Sequence, residues 1–130
     1  MKRYGLSKYE RIKLRSEVKE LFESNEKEIL NLYPLKVLWV LKTATSNKHS
    51  GVKILVSVPH KKIKRAVKRN LIKRRIREAY RLNKLQLVAK AKAKRKSILI
   101  AFVYVSSSVK KYAEIESAVK AAVQEMINRV

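Results

Sequence analysis

Apolar residues recur along this chain with two periods, and each change of period marks a new element. Between Ser7 and about Ser24, Ile12, Val18, Leu21 and Phe22 suggest one face of a helix, which Ser7 or Ser16 could cap. Lys8, Arg11, Lys13 and Arg15 precede the better part of that face. Glu28 to Tyr33 predicts a short first strand. After Pro34, the Val-, Leu- and Trp-rich run Leu35 to Thr43 predicts a second. Val52 to Val58 alternates, with Val52, Ile54, Val56 and Val58 against Lys53, Leu55 and Ser57, and Pro59 stops it as a third strand. The polar stretch Thr45 to Ser50, ending at Gly51, predicts a hairpin loop between the last two. Ala66 to about Lys90 contains neither Gly nor Pro and predicts one long helix; the basic, Ala-rich stretch Ala89 to Lys96 either continues it or forms a loop. Ser97 to Val105 is continuously apolar, as a central strand covered on both faces should be. After a turn at Ser106 to Ser108, Tyr112 to about Asn128 carries Ile115, Ala118, Val119, Ala122, Val123 and Met126 on one helical stripe. The order α-β-β-β-α-β-α predicts an α+β fold, an α/β sandwich with a mixed sheet of about four strands. No repeat or linker divides the chain, so residues 1–130 are expected to form a single domain.

Charge changes the picture. Lys and Arg number 33 against 10 Asp and Glu, a formal net charge of +23. Such an excess repels itself, and a polyanion that releases counterions on binding would relieve it. An anionic membrane surface is the competing partner, but no apolar run approaches the roughly 18 residues of a spanning helix, and Met1 to Leu6 lacks the apolar stretch of a secretory signal. No cysteine is present, which excludes disulfides and thiolate metal sites. These features lead to the expectation of a cytoplasmic nucleic-acid binder, a composition that ribosomal proteins share.

The charge concentrates between Lys61 and Arg81. Lys61, Lys62, Lys64, Arg65, Lys68, Arg69, Lys73, Arg74, Arg75, Arg77 and Arg81 lie there, with Glu78 the only acid. At about 100° per residue, Ile72, Ile76, Ala79, Tyr80 and Leu87 share an arc that can pack on the sheet, Tyr80 being assigned to the core. Lys68, Asn70, Lys73, Arg74, Arg75, Arg77 and Arg81 cover the rest, and Arg69 snorkels from the edge of the apolar stripe. An ordinary solvated face mixes signs, because like charges at i,i+4 oppose the helix. Nearly all pairs here are alike, and arginine's planar fork suits phosphate. A double-helical DNA reader would want more Asn or Gln beside Arg, and Asn70 is the only one on the basic arc.

Ser57-Val58-Pro59-His60-Lys61-Lys62 followed by Ala66-Val67-Lys68-Arg69-Asn70-Leu71-Ile72-Lys73-Arg74-Arg75-Ile76-Arg77-Glu78 closely resembles the signature of the bacterial ribonuclease P protein family. That pattern is V-(S/A)-K-K, then A-x-x-R-N-R-x-K-R-x-x-R-E. Arg69, Asn70, Lys73, Arg74, Arg77 and Glu78 match it; Leu71 stands where the pattern has arginine, and His60 where it has the first lysine of the pair.

The resemblance implies an α/β sandwich with a left-handed βαβ crossover, supplied here by the basic helix, although right-handed crossovers are the general rule. It implies one protein paired with one large catalytic RNA, the two together cutting the 5′ leader from precursor tRNA with Mg²⁺ held mainly by the RNA. RNA-binding residues would be Lys61, Lys62, Lys64, Arg65, Lys68, Arg69, Asn70, Lys73, Arg74 and Arg77. A cleft between the first helix and the sheet would receive the single-stranded leader, with Phe22 matching a family aromatic, Trp39 the best local candidate for a second, and Val18 standing where another aromatic is common. Core packing is the alternative for both aromatics. No catalytic constellation accompanies these residues: His49 and His60 lack metal-ligand spacing, and Glu23, Glu26 and Glu28 read as solvated loop charges rather than a Mg²⁺ site. A structural RNA-binding protein of ribosomal type is the rival reading.

Overall fold

The computed structural model describes residues 10–12, 15–43 and 51–130. Its elements are α1 (Arg15–Glu23), β1 (Glu28–Leu32), β2 (Leu35–Thr43), β3 (Gly51–Ser57), α2 (Ala66–Asn83), α3 (Leu85–Ala93), β4 (Lys96–Tyr104) and α4 (Tyr112–Arg129). The strands form one mixed sheet in the order β1-β2-β4-β3. β1 with β2 and β2 with β4 are antiparallel; β3 with β4 is parallel, so α2 and α3 form a βαβ crossover between them.

The expected β2–β3 hairpin neighbours are separated by β4. The continuous apolar run of β4 explains its place: Ile98, Leu99, Ile100, Ala101 and Phe102 are all buried, which requires cover on both faces and a paired strand on each edge. β3, whose Lys53, Leu55 and Ser57 are only half-buried, takes the edge. The proposed loop Thr45–Ser50, His49 within it, and Ser7, Lys8 and Lys13 lie outside the described residues.

Two apolar layers hold the sandwich. On one face Val37, Trp39, Ile54, Ile100 and Phe102 meet Ile72, Ile76 and Tyr80 of α2, Leu87 of α3 and Ile115, Val119 and Met126 of α4. Tyr80 is fully buried, its ring centroid 6.0 Å from that of Phe102, as the sequence predicts for a core residue. Burial pushes the Tyr80 phenol far above its usual pKa, and the negative charge of Glu10 adds to the shift. On the other face Ile12, Leu21, Leu38, Val40, Leu99 and Ala101 form a smaller layer, with Val18 packed against it.

The first predicted helix is shorter than its periodicity suggests. Residues 10–12 do not continue α1 toward the N-terminus. They run beside the free edge of β3, where Arg11 bridges Ile54 in parallel and the Ile12 amide donates to the Ile54 carbonyl at 2.9 Å. Ile12 still reaches the smaller core. Ser16 lies inside α1 rather than at its cap. The long second helix breaks at Lys84. The Asn83 side chain donates to the Ala79 carbonyl at 2.7 Å, the local bonding by which Asn competes with a helix, and α3 continues the apolar arc through Leu87 and Ala91. Residues 94–95 then turn the chain, Arg95 at φ 54°, so the Ala-rich stretch is helix to Ala93 and strand from Lys96.

Candidate nucleic-acid interface

The apolar arc of α2 fixes which way its charges point. Ile72, Ile76, Ala79 and Tyr80 are fully buried against the sheet and α4, so Asn70 and Arg74 are held exposed on the outer side, with Lys73 and Arg77 half-buried along its flank. Upstream, Val58 and Ile63 are buried, and the amides of Lys62 and Ile63 both donate to the Pro59 carbonyl, at 3.0 and 3.2 Å. This turn leaves His60, Lys61, Lys62, Lys64, Arg65 and Lys68 exposed at one end of the helix. The proposed RNA-binding residues therefore share one continuous basic surface, with the exception of Arg69.

Arg69 turns back. Its Nη1 donates to the carbonyls of Ile63 at 3.0 Å and Lys64 at 2.7 Å, so the guanidinium holds the turn that presents the lysines. Sequence spacing placed Arg69 at the edge of the stripe, but not its partners. Arg69→Ala should remove both bonds and lower stability by roughly 1–3 kcal/mol, a range set by hydrogen bonds from a charged donor that is only half-buried. Thermal melts of Arg69→Ala and Arg69→Lys test this; an alanine variant melting with the wild type would show that the turn does not depend on Arg69.

An open depression of about 580 Å³ lies on the outward side of α2, lined by Arg11, Arg74, Arg75, Arg77 and Arg81 and by one acid, Glu78. Two of its arginines are engaged. Arg81 Nε donates to Glu78 Oε2 at 2.9 Å and its Nη2 to Glu78 Oε1, while Arg75 Nη1 donates to the Lys110 carbonyl at 2.7 Å. Arg11, Arg74 and Arg77 pair with no acid among the described residues. Burial pulls the Arg77 guanidinium below the usual arginine pKa, and the positive charge of Arg11 lowers it further. The sequence marks Arg11 only as a charge early in the first predicted helix, before the better part of its apolar face; its place beside α2 depends on long-range pairing with β3, for which no local signal exists.

The two proposed leader-binding aromatics separate. Phe22, near the C-terminal end of α1, is 38 % exposed and can be touched by a ligand. Trp39 is 2 % exposed and lies in the larger core, on the face of the sheet opposite α1. Strand alternation is the reason: Leu38 and Val40 face α1, so Trp39 between them faces α2 and α4. Trp39 cannot stack on a base from that position, which corrects its assignment to the leader cleft.

On the α1 face, α1 covers the row containing Leu38, Ala101 and Leu55, and its Glu17 pairs with Lys53 at 3.0 Å and its Glu20 with Lys42. The next row along the register is Asn31, Lys36, Val103 and Ser57, one residue from each strand. Asn31 and Lys36 are exposed, and Val103 and Ser57 half-buried. This polar, partly open row beside α1 was missed from sequence, although the alternation of Lys36, Leu38, Val40 and Lys42 along β2 carried the signal.

The carboxylates are mostly used in ion pairs. Glu28 meets Arg129 at 3.0 Å and Glu10 meets Lys84 at 2.7 Å. Among the described residues no group of three or more His, Asp and Glu stands together to hold a metal ion, and no helix is long and apolar enough to cross a membrane.

Comparison with known proteins points in one direction. The ribonuclease P family profile matches residues 6–127. A ribonuclease P protein component of Porphyromonas gingivalis is 39 % identical over 117 residues, covering 90 % of this chain and 82 % of the relative. That of Geotalea uraniireducens is 35 % identical over 88 residues, covering 68 % and 71 %. Two structures of the Staphylococcus aureus RNase P protein superpose with a TM-score of 0.63 each, at 18 % and 21 % identity; the first covers 89 % of this chain and 94 % of its own, the second 94 % and 92 %. At that identity the superpositions speak for the fold, which is the α+β mixed sheet expected from the sequence.

Proposed function

The chain belongs to the ribonuclease P protein family, and from that membership we propose that it binds the catalytic RNA of ribonuclease P and the 5′ leader of precursor tRNA. In this role it supports Mg²⁺-dependent endonucleolytic removal of the leader, giving the mature 5′ end of tRNA. The observation that carries this reading is the outward surface of α2 and its preceding turn, where lysines and arginines stand together with Glu78 the only acid of the depression. A surface of one sign repels itself unless it meets a polyanion, and releasing that polyanion's counterions drives the association.

The division of labour follows from the side chains. Lys61, Lys62, Lys64, Arg65, Lys68, Lys73, Arg74 and Arg77 grip backbone phosphates of the catalytic RNA, and Arg69 positions the turn that carries the lysines. Among the described residues no cluster of carboxylates or histidines offers a Mg²⁺ site, and the functional face is built of guanidinium and ammonium groups, which repel a divalent cation. In this reading the metal and the bond cleavage are assigned to the RNA, and no residue of the protein is given a catalytic role. With these partners the protein is assigned to the cytoplasm, at one copy per RNA. The rival, a structural RNA-binding protein of ribosomal type, would share the charge but not the activity.

Reconstitution separates the two. Adding the protein to the cognate catalytic RNA at low Mg²⁺ should restore cleavage of precursor tRNA at the mature 5′ end, while rigorously RNA-free protein should cleave nothing. Failure to stimulate the RNA would leave the structural reading standing, and cleavage by the protein alone would overturn the division of labour.

The leader runs along the open row of Asn31, Lys36, Val103 and Ser57, with Phe22 at the α1 side offering a stacking surface. A stacked base contributes roughly 1–3 kcal/mol by alanine substitution. Phe22→Ala should therefore weaken binding of precursor tRNA by about five- to a hundredfold, toward the lower end because Val18 offers no second ring, and leave mature tRNA binding unchanged. Equal losses for the two tRNAs would remove Phe22 from the leader path.

A further inference from the structure

Arg11 lies outside α2 and reaches the basic surface by a separate route. Two anchors flank it. Glu10 receives the Lys84 ammonium at 2.9 and 2.7 Å, tying the segment to the end of α2. Ile12 donates its amide to the Ile54 carbonyl at 2.9 Å and buries its side chain. Between a part-buried ion pair and a buried isoleucine, residue 11 has little backbone freedom, yet its own side chain is exposed. It lines the same depression as Arg74 and Arg77, and no acid among the described residues neutralises any of the three. Glu78, the acid of the depression, is gripped by Arg81. Leu71, on the same depression, adds no charge of its own.

We propose that Arg11, Arg74 and Arg77 form a three-sided site for a single backbone phosphate of the partner RNA, with Arg11 closing it from outside the helix. The inference rests on the RNA-binding reading above and adds to it a residue from another part of the chain. Holding three like charges together is unfavourable in the free protein, and an anion placed among them converts that repulsion into attraction. Arginine rather than lysine suits the task because its planar fork can give two parallel hydrogen bonds to one phosphate. The double anchoring of residues 10 and 12 sets the fork in place before the RNA arrives, so little ordering is left for binding.

The test measures binding of the full-length protein to the catalytic RNA across a range of salt concentrations, for Arg11→Ala, Arg11→Lys, Arg77→Ala and the Arg11→Ala/Arg77→Ala double variant. Arg11→Ala should weaken binding about tenfold and reduce the log–log salt slope by roughly 0.7–0.9. Arg11→Lys, which keeps the charge and the anchoring of the segment, should retain the slope and lose only part of the affinity. In the Arg77→Ala background, Arg11→Ala should cost much less than alone, because both act on one phosphate. Additive losses would overturn the shared site. So would an Arg11→Ala or Arg11→Lys variant with wild-type affinity and slope while Arg77→Ala binds weakly, and in that case α2 would remain the RNA-binding face. If Arg77→Ala and Arg11→Ala both bind as the wild type does, the shared site fails; the RNA-binding reading itself falls only if replacing Lys73, Arg74 and Arg77 together also leaves binding unchanged.

Discussion

Trp39→Ala is expected to lower the thermal midpoint by about 10–20 °C without changing the preference for precursor over mature tRNA in whatever fraction stays folded. The side chain is 2 % exposed in the layer between the sheet and α2, α3 and α4. Truncating a buried Trp to Ala removes its transfer free energy and leaves a cavity, together roughly 3–5 kcal/mol. In a domain of this size each kcal/mol moves the midpoint by a few degrees. Trp39→Phe separates burial from polarity. The indole Nε1 is buried with no hydrogen-bond partner among the described residues, so phenylalanine removes an unfavourable donor while keeping most of the apolar area, and should melt much closer to the wild type. Calorimetric melts of both variants, followed by paired tRNA binding, make the check. A folded Trp39→Phe variant that loses only precursor binding would return this residue to the leader path.

The contrast between Trp39 and Phe22 shows what kind of information the sequence held. Burial layers were legible wherever the period was clean. Ile72, Ile76, Ala79 and Tyr80 lie on the predicted arc and are fully buried, and the uninterrupted run in β4 is central. The boundaries of β2 were legible too, bounded by Pro34 and a polar stretch. Which face of β2 looks toward α1 was not, because alternation divides residues into two sets without naming the helix above each. Trp39 and Lys36 fell to opposite sides for that reason alone. Strand order was equally illegible: the polar stretch before Gly51 suggested a hairpin, whereas pairing along β4 decides that β2 and β3 are not neighbours.

The basic surface was legible as a set and not as individual roles. One-signed charge from Lys61 to Arg81, read with the apolar arc, placed the charges outward, and the structure agrees. What each arginine holds depends on partners distant in the fold or across a turn. Arg69 serves the carbonyls of residues 63 and 64, Arg75 reaches Lys110, and Arg81 is taken by Glu78. Arg11 joins the surface only because residues 10–12 leave the helix they were predicted to begin and pair with β3. Asn83 was a weak local sign of the α2–α3 break, and the φ of 54° at Arg95 came without the glycine that usually announces such a turn.

The central claim is that the outward surface of α2 is where this protein holds RNA, and the salt dependence of binding tests it most directly. Lys73, Arg74 and Arg77 share that helix, and none pairs with an acid among the described residues, so their charges are available to phosphate. Replacing all three with alanine should weaken binding to the catalytic RNA by roughly a hundred- to a thousandfold near physiological salt, as three charge-assisted contacts are lost. The log–log slope should fall by about 1.5–2, from roughly 0.7–0.9 per phosphate, one held by Lys73 and one shared by Arg74 and Arg77. The buried arc is untouched, so the variant should melt within a few degrees of the wild type. Measuring affinity for the catalytic RNA across a range of salt concentrations, for wild type and triple variant side by side, gives both quantities. A weakened variant with the shallower slope is the result expected here. A folded variant with unchanged affinity and unchanged slope would contradict the account and place the RNA on another surface.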